Sequence, residues 1–130
     1  MKRILLIDDD HSICAVLKAL LEDQGREVSV AENGKKGLAA FKTGPFDLII
    51  TDLVMPEKEG LETIREIREL SQTVPIIAIS GGGRSDSRTS LRMAKIFGAA
   101  VALAKPFSLL DFSRAVDGLI GAPPPKQAHA

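Results

Sequence analysis

The sequence predicts an α/β domain in which a parallel sheet is covered by helices on both faces. Three observations lead there. Short runs rich in Ile, Val and Leu recur five times, stretches with helical spacing of apolar residues fall between them, and turn-forming residues punctuate the joins. Parallel strands need a crossover that a helix supplies, so five repeats of strand then helix imply a parallel sheet. Continuous apolar runs, rather than alternating ones, suit strands buried on two sides.

Taken in order, Ile4 to Ile7 forms the first strand, and Ile13, Val16, Leu17, Leu20 and Leu21 form the stripe of a helix that stops at Gly25. Val28 to Ala31 is the second strand. Asn33-Gly34 then turns the chain into a helix marked by Leu38, Ala39 and Phe41, which ends before Gly44-Pro45. The third strand, Leu48 to Thr51, precedes a helix whose stripe is Leu61, Ile64, Ile67 and Leu70. Ile76 to Ser80 is the fourth strand, and a helix over about Ser87 to Phe97 closes at Gly98. Ala100 to Ala104 is the fifth strand, and Leu109, Phe112, Val116 and Leu119 mark the last helix. Proline lacks an N–H and fixes φ, so the stretch from Gly121-Ala122-Pro123-Pro124-Pro125 to Ala130 cannot pack as helix or strand. The domain is accordingly placed at residues 1–120, with a Pro-rich flexible tail or linker at 121–130.

Length suits one domain: 130 residues bury a single core and are too few for two. With 45% hydrophobic and 26% charged residues, the composition is that of a globular chain. Seventeen basic residues balance seventeen acidic ones, and Trp and Tyr are absent. The chain therefore lacks both the broad positive field and the stacking surfaces on which nucleic-acid binding relies, and no direct nucleic-acid partner is expected. Met1-Lys2-Arg3 followed by four apolar residues imitates a secretory signal, but Asp8 ends the run too soon, and no run approaches membrane-spanning length. With one cysteine, Cys14, and hence no internal disulfide, a cytoplasmic location is expected.

The chemistry collects at the strand ends. Open α/β sheets bind ligands beyond the carboxyl ends of their strands. There the sequence places Asp8-Asp9-Asp10 after the first strand, Asp52 after the third, Ser80-Gly81 after the fourth and Lys105-Pro106 after the fifth. Carboxylates crowded together raise one another's pKa unless a cation joins them, and Mg²⁺ is the oxygen-seeking ion that also recruits phosphate oxygens. Such a metal lets a phosphate donor approach a carboxylate nucleophile. Lys105 offers a compact positive charge, Ser80 a hydrogen-bond donor, and Gly81 room for the incoming group. The set reads as a phosphoryl-transfer site.

At these residues the chain resembles the response-regulator receiver domains of two-component signalling, and the match runs from about residue 2 to 120. Asp8-Asp9 is similar to the family's acidic pair, Asp52 with Met55-Pro56 and Gly60 to its phosphoacceptor segment, Ser80 to its Ser/Thr, and Lys105-Pro106-Phe107 to its Lys-Pro-Phe. The resemblance implies a flavodoxin-like, doubly wound, five-stranded sheet of order 2-1-3-4-5 with five helices. It implies that Asp52 is the phosphoacceptor, that Asp9 and Asp52 hold Mg²⁺ directly, that Asp8 assists through water, and that the Val54 carbonyl completes the ligands. A cis Lys105-Pro106 bond is implied as well. The donor would be a sensor histidine kinase or phosphotransfer protein, and the chain a stand-alone receiver that assists its own phosphorylation and dephosphorylation without being an enzyme in the ordinary sense. One departure stands out, because the family's aromatic three residues before the lysine is here Ala102. Movement on phosphorylation is therefore expected in Gly81-Gly82-Gly83 and the start of the next helix.

Other residues carry simpler expectations. Asp10 and His11 read as capping or surface residues, and Cys14 as an inert core or boundary residue. Arg84, Arg88 and Arg92 recur every four residues, which means a solvated stripe or, more sharply, a face with Arg88 and Arg92 for an acidic downstream protein. Two competing functions share these motifs. An aspartate-nucleophile phosphatase would attack with Asp8 and use Asp10 as acid and base. A phosphate-independent binding module would keep the fold alone, a reading that Ala102 supports.

Overall fold

The computed structural model describes residues 1–53, 59–80 and 87–123. Strands and helices alternate as β1 (Arg3–Ile7), α1 (His11–Asp23), β2 (Glu27–Ala31), α2 (Gly34–Phe41), β3 (Leu48–Asp52), α3 (Glu59–Leu70), β4 (Ile76–Ser80), α4 (Ser87–Phe97), β5 (Val101–Ala104) and α5 (Leu109–Ile120). The strands form one parallel sheet in the order β2-β1-β3-β4-β5, the flavodoxin-like topology implied by the resemblance.

Alternating strand residues point to opposite faces, and here both faces are covered. Ile4 and Leu6 of β1 join Leu48 and Ile50 of β3 and Ile77 and Ile79 of β4 beneath α1 and α5, which contribute Leu17, Leu21, Phe112 and Val116. Leu5, Ile7, Ile49, Ile76 and Ala78 lie beneath the other layer, where Ile64 and Ile67 of α3 and Ala94 of α4 cover them. Each large aliphatic side chain buried this way contributes roughly 1.5–3 kcal/mol.

Several elements start or end a residue away from the sequence expectation, and backbone pairing is the reason. β1 and β2 each begin one residue earlier because Arg3 pairs with Glu27. β3 runs on through Asp52, which pairs with Ile79, so this carboxylate stands at the end of the ladder. Helix stripes are also narrower than the apolar spacing suggests. In α1 the buried residues are Cys14, Leu17 and Leu21, while Val16 is 52% exposed, and Leu70 of α3 and Leu109 of α5 also face solvent.

Candidate functional site

Backbone pairing brings four strand ends to one edge. The Asp8 N–H continues β1 by donating to the Ala31 carbonyl at 3.0 Å, the Leu53 N–H leaves β3 by donating to the Ile79 carbonyl at 2.7 Å, and the Lys105 N–H donates to the Ser80 carbonyl at 2.8 Å. Ser80 itself pairs with Ala104. Asp8, Asp52, Ser80 and Lys105, separated by up to 97 positions in the chain, therefore project from adjacent strand termini. The Lys105–Pro106 peptide bond is cis.

The resulting cluster is mostly dry. Asp8, Asp52 and Ser80 are buried, and Asp9 is exposed. One carboxylate oxygen from each of Asp8, Asp9 and Asp52 lies within 4.8 Å of the others. Lys105 Nζ donates to Asp52 Oδ2 at 3.0 Å. The Asp8 carboxylate is split between two environments. Its Oδ1 accepts the Asp10 N–H at 2.8 Å, whereas its buried Oδ2 has no hydrogen-bond donor among the described residues. Burial raises the Asp8 pKa to about 6; the Asp10 N–H opposes the rise, and the neighbouring Asp52 charge adds to it.

Those features test whether a divalent cation fits. A buried carboxylate oxygen without a donor, beside two further carboxylates, has excess negative charge that a small hard cation would neutralise. Asp8, Asp9 and Asp52 thus form an all-oxygen donor set of the type Mg²⁺ accepts, with an exposed side at Asp9 for water. Val54 and Gly81, the remaining expected site residues, lie outside the described residues, as do Gly82, Gly83 and Arg84. The Arg88 side chain is likewise not described, and Arg92 is exposed on α4.

Neighbouring residues have structural tasks. Asp10 caps α1, its Oδ1 accepting the N–H groups of Ser12 at 2.9 Å and Ile13 at 3.2 Å. It stands outside the carboxylate cluster, so the Asp-x-Asp pair needed by an aspartate-nucleophile phosphatase is divided between a buried site residue and a helix cap. Cys14 is buried with Sγ 3.5 Å from the Asp8 carbonyl, and burial first, then the nearby acidic groups, push its thiol up to about 11. It is held protonated at neutral pH. Gly60 is the residue whose role the motif match did not explain. A Cβ there would stand 2.6 Å from the Asp52 carbonyl oxygen and 2.7 Å from Leu53 Cα, so glycine lets the first turn of α3 rest on the end of β3. Beside Lys105, an apolar groove between α1 and α5 is lined by Ile13, Val16, Leu17, Pro106, Phe107 and Leu109, which accounts for the outward Val16.

Residues 4–117 match the response regulator receiver domain family. The chain is 37% identical over 108 residues to the transcriptional regulatory protein CpxR of Klebsiella pneumoniae, an alignment covering 83% of this chain and 44% of that protein. The chain spans about half or less of the length of the curated relatives it matches. Among solved structures, a response regulator receiver domain protein of Clostridium thermocellum superposes with a TM-score of 0.83 at 33% identity, covering 92% of this chain and 94% of that one. The response regulator TrrA of Thermotoga maritima, in complex with Mg²⁺ and BeF, gives a TM-score of 0.79 at 34% identity, covering 92% and 99%.

Proposed function

The chain belongs to the response regulator receiver domain family, phosphoacceptor signalling modules rather than ordinary enzymes, and from that premise we propose that Asp52 accepts a phosphoryl group from a histidine kinase or phosphotransfer protein, with Mg²⁺ as cofactor. The observation that carries this reading is the meeting of Lys105 with Asp52 at 3.0 Å beside the Asp8 and Asp9 carboxylates. The receiver solved with Mg²⁺ and BeF, at 34% identity, supports it from outside.

In this reading an Asp52 carboxylate oxygen attacks phosphorus as the bond from phosphorus to the donor's imidazole nitrogen breaks, and the nitrogen leaves with the electron pair. Magnesium, when bound, supplies the charge that offsets repulsion between the carboxylates and the phosphoryl oxygens. Asp8 and Asp9 would hold it with Asp52, and the Val54 carbonyl would complete the protein ligands. Lys105 then exchanges its contact with the Asp52 carboxylate for one with a phosphoryl oxygen, and the Ser80 hydroxyl donates to another. Gly81 leaves room for them. A protein donor is large, and the apolar groove along Ile13, Val16 and Phe107 gives it a surface to rest on beside Lys105. The change at Ser80 passes along the chain to α4, whose face with Arg88 and Arg92 would meet an acidic downstream protein. With Ala102 on β5, no aromatic at that position conveys it. These steps belong to the cytoplasm, and no helix among the described residues is long and apolar enough to cross a membrane.

Intact-protein mass spectrometry after incubation with acetyl phosphate and Mg²⁺ tests the proposal. One phosphoryl adduct is expected on the native chain and none on Asp52→Asn. An equal adduct on the variant, or one mapped to Asp8, would replace this reading with another nucleophile.

A further inference from the structure

At the pole of the sheet opposite the acidic cluster, a charged side chain is buried for no reason the phosphoacceptor site supplies. Arg26, in the turn before β2, keeps only 2% of its side chain exposed. Its Nη1 donates to Gln24 Oε1 at 2.6 Å, and its Nη2 donates to Asp117 Oδ1 and to the Gly121 carbonyl, both at 2.8 Å. Gln24 in turn donates from Nε2 to Ser113 Oγ at 3.0 Å. Residues 113 and 117 are one helical turn apart, so the network grips α5 at two successive levels and also holds the residue where the helix ends. It joins the end of α1, the start of β2, α5 and the outgoing chain.

The two helices that flank β5 differ in how their described side chains are anchored. α5 sinks Phe112 and Val116 completely into the core and adds the Arg26 network. Among its described side chains, α4 buries only Ala94 fully, while Arg92, Lys95 and Ile96 are exposed. α4 is also the helix that comes after Ser80 in the chain. Between them, position 102 carries a methyl group too short to bridge the two helices.

We infer that the Arg26 clamp holds α5 and the exit of the chain as a fixed frame, so that a change induced at Asp52 is confined to the α4 side. The inference rests on the reading of Asp52 as phosphoacceptor. Its consequence is that any segment beyond residue 123 leaves from an unmoving platform, and the signal is read from the α4 surface rather than through a pull on the tail. The clamp works because a buried guanidinium stays put only while its hydrogen-bond partners do. Asp117 is one-third exposed and can turn to water if the arginine is removed, so its loss loosens this pole without trapping a second buried charge.

Hydrogen exchange measured by mass spectrometry, with and without Mg²⁺ and beryllofluoride, tests the clamp and the confinement separately. In the unloaded protein, Arg26→Met should speed exchange of the amides at 113–121 by roughly tenfold or more while β4 keeps its protection. Asp117→Asn, which retains an acceptor, should preserve most of that protection. Should Arg26→Met fail to fold, Gln24→Ala removes the link to Ser113 and should give a smaller increase in the same segment. On loading, the native chain should change exchange at α4 and leave 113–121 as it was, whereas Arg26→Met should respond in both. Unaltered exchange at 113–121 in unloaded Arg26→Met, or in Gln24→Ala where that variant stands in for it, would overturn the clamp. A loading response in native 113–121 as large as that in α4 would overturn the confinement. A native chain that responds nowhere to beryllofluoride would defeat the phosphoacceptor reading and the confinement together, and the unloaded comparison would still report on the clamp.

Discussion

Asp8 shows what a single buried carboxyl does to the whole site. Without metal its folded pKa is about 6, above the 3.8 of an unperturbed aspartate, because burial disfavours the charge and Asp52 repels it. Between those values the folded chain binds more protons than the unfolded one, so this group's contribution to stability is fully present below pH 3.8 and is lost as pH rises through about 6. The penalty at pH 8 is on the order of 2–3 kcal/mol. Asp8→Asn should remove it, since an amide carries no charge and can donate to Asp52. Urea denaturation in the presence of a chelator should therefore find the variant more stable than the native chain at pH 8, by a margin that narrows as pH falls through about 6 and closes only near 3.8. A native advantage at pH 8 would mean that Asp8 is not under electrostatic stress. The sequence announced this carboxyl through the Asp8-Asp9-Asp10 run, yet could not divide the run. Only the fold shows Asp8 dry, Asp9 wet and Asp10 spent on an α1 cap.

At the scale of elements, strands and helices were legible because their apolar periods are unmixed, and glycine or asparagine stood at most joins. Close approach between elements was not. Gly60 looked like one member of a motif, but its meaning is the 2.6 Å that would separate a Cβ from the Asp52 carbonyl oxygen. Backbone atoms of Asp52 and Leu53 cannot rotate aside as a side chain could, so Gly60→Ala must shift the start of α3 away from β3. Overpacking of this sort costs about 1–3 kcal/mol, set against the few tenths to about 1 kcal/mol that alanine gains over glycine in a helix. The net expectation is destabilisation, seen as a lower urea midpoint, together with a slower rate of phosphorylation from acetyl phosphate because the Asp52 backbone is displaced. An unchanged midpoint would show that α3 has room to move. The outward Val16 and Leu109 were illegible for a related reason. Helical spacing marks an apolar stripe, but which of its margins faces a groove depends on the neighbouring loop at Pro106 and Phe107.

For the whole molecule, the decisive quantity is the charge held at one end of the sheet. Among the described residues, the carboxylates of Asp8, Asp9 and Asp52 have the Lys105 ammonium beside them, and burial, with the Asp52 charge adding to it, holds the Asp8 pKa up at about 6. A cation that binds this folded cluster and not the unfolded chain stabilises the fold by linkage, by about 2.7 kcal/mol at a concentration near 100 times its Kd. Since the same cation competes with the Asp8 proton, the gain should be large at pH 8 and small at pH 5, the reverse of the metal-free trend. Thermal unfolding with and without Mg²⁺ should show a raised Tm that chelator abolishes, that shrinks on acidification, and that is lost in Asp8→Asn. Lys105→Met should keep the gain, because all three carboxylates remain, while sacrificing the later contact of the ammonium with phosphate. If Mg²⁺ instead stabilises the native chain and Asp8→Asn alike, the ion is bound elsewhere, and the convergence of strand ends does not make a metal site.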